Sequence, residues 1–177
     1  MDYTEKTLST KRIFDGQVIN LRVEQIEQPD GRTAPREIIE HNGGVGVIAV
    51  TENREVFMVS QYRLAARRMM LEIPAGKLEK GEDPLECGKR ELTEETGYKA
   101  EKFTHLGEFF VSPGYCEEKI NLYLAQGLTF VGQHLDDGEF LNVSKYTLDE
   151  LCKMVMDKKI YDAKTEIAIL KAKILLG

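Results

Sequence analysis

What the chain lacks narrows it first. Its three cysteines, Cys87, Cys116 and Cys152, are odd in number and form no C-x-x-C pair, which argues against a disulfide framework and a thiolate zinc site. An excess of cations is missing too. Lys plus Arg number 24 against 30 Asp plus Glu, for a net charge of −6, the wrong sign for a general binder of nucleic acid or anionic membrane. No apolar run nears the roughly 20 residues of a membrane span; Val45 to Val50 is among the best. Met1 to Lys6 shows no basic stretch leading into an apolar one, so no secretory signal is read. Repeats and low-complexity tracts are absent, and the three histidines (His41, His105, His134) carry no metal-ligand spacing. What remains is 177 residues, 42% apolar and 31% charged, enough for one domain plus a small appendage with an unstapled core. We expect a soluble, reduced, cytoplasmic protein with neither nucleic acid nor membrane as partner.

The first forty residues read as strands. Val18 to Gln28 alternates, Pro29-Asp30-Gly31-Arg32 supplies a turn, and Arg36 to His41 returns. Asn42-Gly43-Gly44 is the expected hinge, placing a strand-rich head over 1–41 and the main domain over 42–177. Val45 to Val50, Val56 to Tyr62, Leu106 to Val111 and Ile120 to Ala125 are further strand candidates. One helix is well marked: Asp83 as N-cap, Pro84 at the first position, Glu86 completing a capping box, Gly97 as the stop. Two tail helices are expected, one starting near Thr147 and one near Asp162, with apolar residues at Leu148, Leu151 and Val155, then at Ile167, Leu170 and Ile174. The pattern predicts a mixed sheet flanked by helices, an α/β (α+β) architecture.

In the marked helix Glu91, Glu94 and Glu95 fall at i, i+3, i+4, within an arc of roughly 100°. Three like charges side by side destabilise a helix unless something positive lies between them. An all-oxygen carboxylate cluster suits Mg²⁺, or Mn²⁺ in its place, and Arg90 can reach Glu94 four residues on. A solvated acidic face is the plainer alternative for three glutamates alone.

The flanks decide between them. Gly76, five residues, Glu82, seven residues, then Arg90-Glu91-Leu92-Thr93-Glu94-Glu95-Thr96-Gly97 match the Nudix box, with only Tyr98 softening its last aliphatic position. The chain therefore resembles the Nudix hydrolases, and the resemblance implies the Nudix fold with an N-terminal antiparallel β-sheet subdomain. Gln61-Tyr62-Arg63, Leu71-Glu72-Ile73-Pro74-Ala75-Gly76-Lys77 and a proline, Pro113, 16 residues after Gly97 are similar to the ADP-ribose pyrophosphatase branch. The likeness extends to the loop Leu135 to Phe140 and the tail Tyr161-Asp162-Ala163-Lys164-Thr165.

That resemblance implies roles. Glu91 and Glu95, with Glu94, Glu139 and the carbonyl of Ala75, would hold Mg²⁺. Arg36, Glu37, Arg63, Lys77, Ser112, Pro113, Gly114 and Glu118 would meet the substrate. Gly76, Glu82, Arg90 and Gly97 would shape the box. Glu94 and the loop acids Asp137 and Glu139 are catalytic candidates; either loop acid could be the proton acceptor, Phe140 docking its ring to fix Glu139. The implied reaction is hydrolysis of ADP-ribose to AMP and ribose 5-phosphate by a homodimer joined through the N-terminal strands. Other nucleotide sugars, dinucleoside polyphosphates, or a non-catalytic nucleotide sensor are the alternatives.

Overall fold

The computed structural model describes residues 2–136 and 138–177. The chain forms two compact units. The first runs up to Gly43 and also takes in Phe110–Lys119, a return segment that no composition shift announces. It carries an antiparallel sheet in the order β1 (Lys6–Asp15), β2 (Asn20–Glu27), β3 (Thr33–Glu40). The Pro29-Asp30-Gly31 turn joins β2 and β3, closed by Gln28 N–H donating to the Arg32 carbonyl at 2.8 Å. Strand β1 is exposed along its whole length, so no buried face betrays it in the sequence.

The second unit, Gly44–Phe109 and Ile120–Gly177, holds two sheets. One has the order β7 (Ala75–Lys77), β4 (Gly44–Ala49), β9 (Lys119–Phe130), β8 (Tyr98–Phe110); β4 runs parallel to β9 and antiparallel to β7. The other is β10 (Leu141–Thr147), β5 (Glu55–Arg63), β6 (Arg68–Glu72), antiparallel throughout. Strand β4 is buried on both faces. Val45, Val47 and Ala49 join Cys87 and Leu92 of helix α1 (Pro84–Thr96) in one cluster. Ile48 and Val50 join Leu148, Leu151 and Val155 of α2 (Leu148–Met156) and Ala168, Ile169 and Ala172 of α3 (Ala163–Leu176) in the other. A period-two strand between two helical layers needs apolar residues at nearly every position, and β4 has them.

One expectation needs correction. Glu86 does not complete a capping box: Asp83 accepts from the backbone N–H of Leu85 and Glu86, while the Glu86 carboxylate takes Lys89 at 2.7 Å. The inward face of α3 is Thr165, Ala168, Ile169 and Ala172, leaving Leu170 and Ile174 exposed; two alanines let this helix approach the sheet more closely than the larger residues would. Among the described residues no helix is long and apolar enough to cross a membrane.

Candidate active site

Helix α1 starts at the Asp83 cap and stops at Gly97, which adopts φ 79° and returns its N–H to the Thr93 carbonyl. Between these ends the glutamates face the loop that precedes the helix. Arg90 lies among them: its Nη1 is 2.8 Å from Glu91 Oε1 and 2.9 Å from Glu94 Oε2, and its Nε is 3.3 Å from Glu82 Oε1. This is the cation that a triad of like charges requires, and it belongs to the same helix. Glu91 itself packs over Gly76, where a Cβ would stand 1.8 Å from Glu91 Oε1. Glycine at 76 is therefore the seat of a carboxylate.

Glu95 is the unusual member. It is fully buried, its Oε2 accepts the Ala75 N–H at 3.0 Å, and its Oε1 has no hydrogen-bond partner. Burial, opposed by the Ala75 bond but aided by the charges of Glu91 and Glu139, pushes its carboxyl up to about 8. Burial raises Glu91 as well. As the side chains stand, no three acidic, histidine or cysteine groups among the described residues form a metal-holding group, and Arg90 pairs with both Glu91 and Glu94. The donor set nonetheless fits a divalent cation. It offers hard oxygens only, an orphaned buried carboxylate oxygen that a cation would satisfy, and a glycine seat beside it.

The segment after β9 is stapled to the end of α1. Val131 and Gly132 N–H donate to the Gly97 carbonyl (2.8 and 3.2 Å), His134 N–H to that of Glu94 (3.2 Å), and Gln133 Nε2 to that of Glu95 (2.5 Å). From there the chain enters the acidic loop, where Glu139 N–H bonds the Asp136 carbonyl at 3.0 Å. Glu139 is close enough for its charge to act on Glu91 and Glu95. Asp137 lies outside the described residues. Phe140 does not dock the loop: the residue is 85% exposed.

Comparison with known proteins bears on this arrangement. A model of the NUDIX domain matches residues 40–167, well over half of the chain. The chain belongs to the Nudix family. Residues 5–39, ahead of the Nudix domain, match the N-terminal domain of nucleoside diphosphate sugar hydrolases. A methanol dehydrogenase activator from Bacillus methanolicus is 47% identical over 94% of this chain and 91% of its own length. An ADP-ribose pyrophosphatase from Bacillus subtilis is 46% identical over 93% and 90%. A crystal structure of an ADP compounds hydrolase superposes with a TM-score of 0.85 over 97% of this chain and 94% of the other, at 20% identity, and so attests the Nudix fold.

The residues read as substrate contacts divide between the units. In the second, Lys77 is exposed at the end of β7. Arg63 forks onto Glu72, Nε to Oε1 at 2.8 Å and Nη2 to Oε2 at 2.9 Å. In the first, Arg36 pairs with Glu5, and Glu37 is exposed on the alternate side of β3. The Ser112 carbonyl accepts from Tyr115 and Cys116 N–H (3.1 and 2.9 Å), making Ser112-Pro113-Gly114 a turn. Glu118 Oε1 stands 3.6 Å from His41 Nδ1, which itself accepts the Gly43 N–H. Sequence reasoning assigned no role to Glu72, Asp162, Lys164 or Thr165, although all four lie in segments that carry the family likeness. A glutamate beside Ile73-Pro74 was the available signal, since a charge in so apolar a stretch needs a partner.

Proposed function

We propose that this chain is a Mg²⁺-dependent hydrolase that cleaves ADP-ribose to AMP and ribose 5-phosphate. The observation that carries the reading is the intact acidic face of α1 with its orphaned Glu95 oxygen, in a chain 46% identical to an ADP-ribose pyrophosphatase. Glu91, Glu95, Glu94, Glu139 and the Ala75 carbonyl would hold the cation. Bound there, it would neutralise diphosphate oxygens and acidify a water. The chain's own part is to aim the reactants. Arg63 uses two of its five donors on Glu72 and keeps the opposite edge for the diphosphate. Glu139 or Asp137 accepts the water's proton as the new P–O bond forms and the bridging P–O bond breaks. Gly76 and Gly97 shape the box, Glu82 and Arg90 hold its carboxylates, and Lys77, Arg36, Glu37, Glu118 and the Ser112-Pro113-Gly114 turn complete the substrate set.

The working form in this reading is a cytoplasmic homodimer joined through the first unit. Support comes from Leu8, Ile13, Phe14 and Val18, each about half exposed, in a sheet that has little apolar interior of its own. A panel of ADP-ribose, other nucleoside diphosphate sugars and a dinucleoside tetraphosphate, scored by kcat/KM with Mg²⁺, tests the substrate. ADP-ribose should lead, and a tenfold preference for the dinucleotide would overturn the assignment. The Bacillus methanolicus relative supports a second reading, activation of a methanol dehydrogenase; adding the chain to such an enzyme and following alcohol oxidation separates the two.

A further inference from the structure

The first turn of α3 grips the strand end that leads into the box. Thr165, fully buried, accepts the Ile73 N–H through Oγ1 at 2.9 Å and donates to Asp162, the N-cap of the same helix. Its neighbour Lys164 donates to Oε2 of Glu72 and lies 2.9 Å from Asp162. Two successive helix residues thus hold two successive strand residues. Glu72, 1% exposed, shares its carboxylate between Lys164 and the Arg63 fork, and the four side chains Arg63, Glu72, Lys164 and Asp162 carry two charges of each sign. Removing either cation leaves that cluster with one uncompensated negative charge.

We propose that Lys164 is a positioning residue for substrate binding: by sharing Glu72 with Arg63 it sets the direction in which Arg63 presents its free guanidinium edge to the diphosphate. The inference rests on the proposed function only in taking a nucleoside diphosphate group as the ligand. The geometry behind it is specific. The guanidinium is planar, so anchoring Nε and Nη2 fixes where the remaining donors point. Glu72 cannot shift toward Arg63 while Oε2 is also held by Lys164. The outward edge belongs to a side chain that is 42% exposed, whereas Lys164 is 13% exposed and has its ammonium committed to Glu72 and Asp162. Lys164 therefore acts through Arg63 rather than on the ligand. Without it, Glu72 retains Arg63 as its only cation and pulls that guanidinium inward. The strand end keeps its other ties, Val47 N–H to the Pro74 carbonyl, Ala75 N–H to Glu95 and Ile73 N–H to Thr165, so its backbone stays in place without the lysine, at some cost in stability.

The test is a double-mutant cycle on the full chain with Mg²⁺, using whichever nucleoside diphosphate sugar it turns over fastest. Lys164→Met should raise KM about tenfold while kcat stays within about twofold, and Lys164→Arg should recover most of the loss. In an Arg63→Ala background, Lys164→Met should change KM by less than about twofold, because the residue it positions is gone. The same ratios are expected for the Kd of ADP by calorimetry, a readout that needs no turnover. An equal effect in both backgrounds, an unchanged KM in Lys164→Met, or a wild-type KM in Arg63→Ala would each overturn the proposal. Failure to cleave ADP-ribose would overturn only the substrate assignment.

Discussion

The two units are held together by different physics. In the second, apolar side chains on both faces of β4 are sealed between helices, and nearly all of the buried hydrophobic residues belong to it. Among the described residues of the first, Ile26 is the only buried hydrophobic one. Ion pairs take the place of a core there: Arg22 meets Glu24, Glu40 and Glu117, Arg12 meets Glu40, and Arg36 meets Glu5. Arg22, Glu24 and Glu40 are partly buried, whereas the more exposed pairs contribute little in water. One unit thus rests on an apolar core, and the other on charge pairs at and near its surface.

Substitutions can break that contrast. The largest effect is expected at Glu95→Gln, which should cut kcat by about a thousandfold and abolish any rise of Tm with Mg²⁺. The metal-free fold should not suffer. Glu95 has a folded pKa above its unfolded one, so the folded state holds the extra proton, and stability falls as pH rises from about 4.5 toward about 8. Removing that group flattens the decline, and calorimetric Tm values at pH 5 and 8 measure it.

Core substitutions come next. Ile48→Ala, at the centre of the second unit, should cost about 3 kcal/mol in a denaturant titration. Ile13→Ala, on exposed β1, should stay within about 0.5 kcal/mol. If the first unit is covered by a second copy, Ile13→Glu should instead halve the mass seen by light scattering.

Acid sharpens the comparison from another side. Burial alone would raise the Glu72 carboxyl, but Arg63 and Lys164 outweigh it and hold it down at about 2. Its contribution, on the order of 3 kcal/mol, is complete above about pH 4.5 and is lost as pH falls through about 2. A Glu72→Gln chain should show a shallower loss of Tm across that window. An effect on rate without one on stability is expected at Gly76→Ala. The added Cβ would stand 1.8 Å from Glu91 Oε1 and 2.6 Å from its Cγ, so that side chain must swing off its seat, and Tm should hold while the rate falls about tenfold.

The legible parts of this molecule were those with local causes. Helix α1 announces itself by Asp83, Pro84 and Gly97, and the β2–β3 hairpin by Pro29-Asp30-Gly31, because capping and turn geometry are settled within a few residues. Strand β1 fell within the strand-rich head but could not be bounded, because no face of it is buried, and β6, β7 and β10 are short or end in polar residues. The box carboxylates could be named from spacing. The state of Glu95 could not, since it depends on Ala75 arriving from twenty residues away. Arg63 looked like a free cation for the same reason: its partner Glu72 and that partner's second cation Lys164 meet only after three elements have packed.

One consequence follows from how the acidic loop is tied. His134 is fastened to α1 at the Glu94 carbonyl, and Leu141 is already paired with Gln61 on β5. Glu139 therefore hangs on a leash of five residues at one end and two at the other. The shorter end, at roughly 3.5 Å per residue, allows it an excursion of only about 7 Å from a rigid strand. The reach of that acid is therefore set by the strand it precedes and not by the loop that carries it.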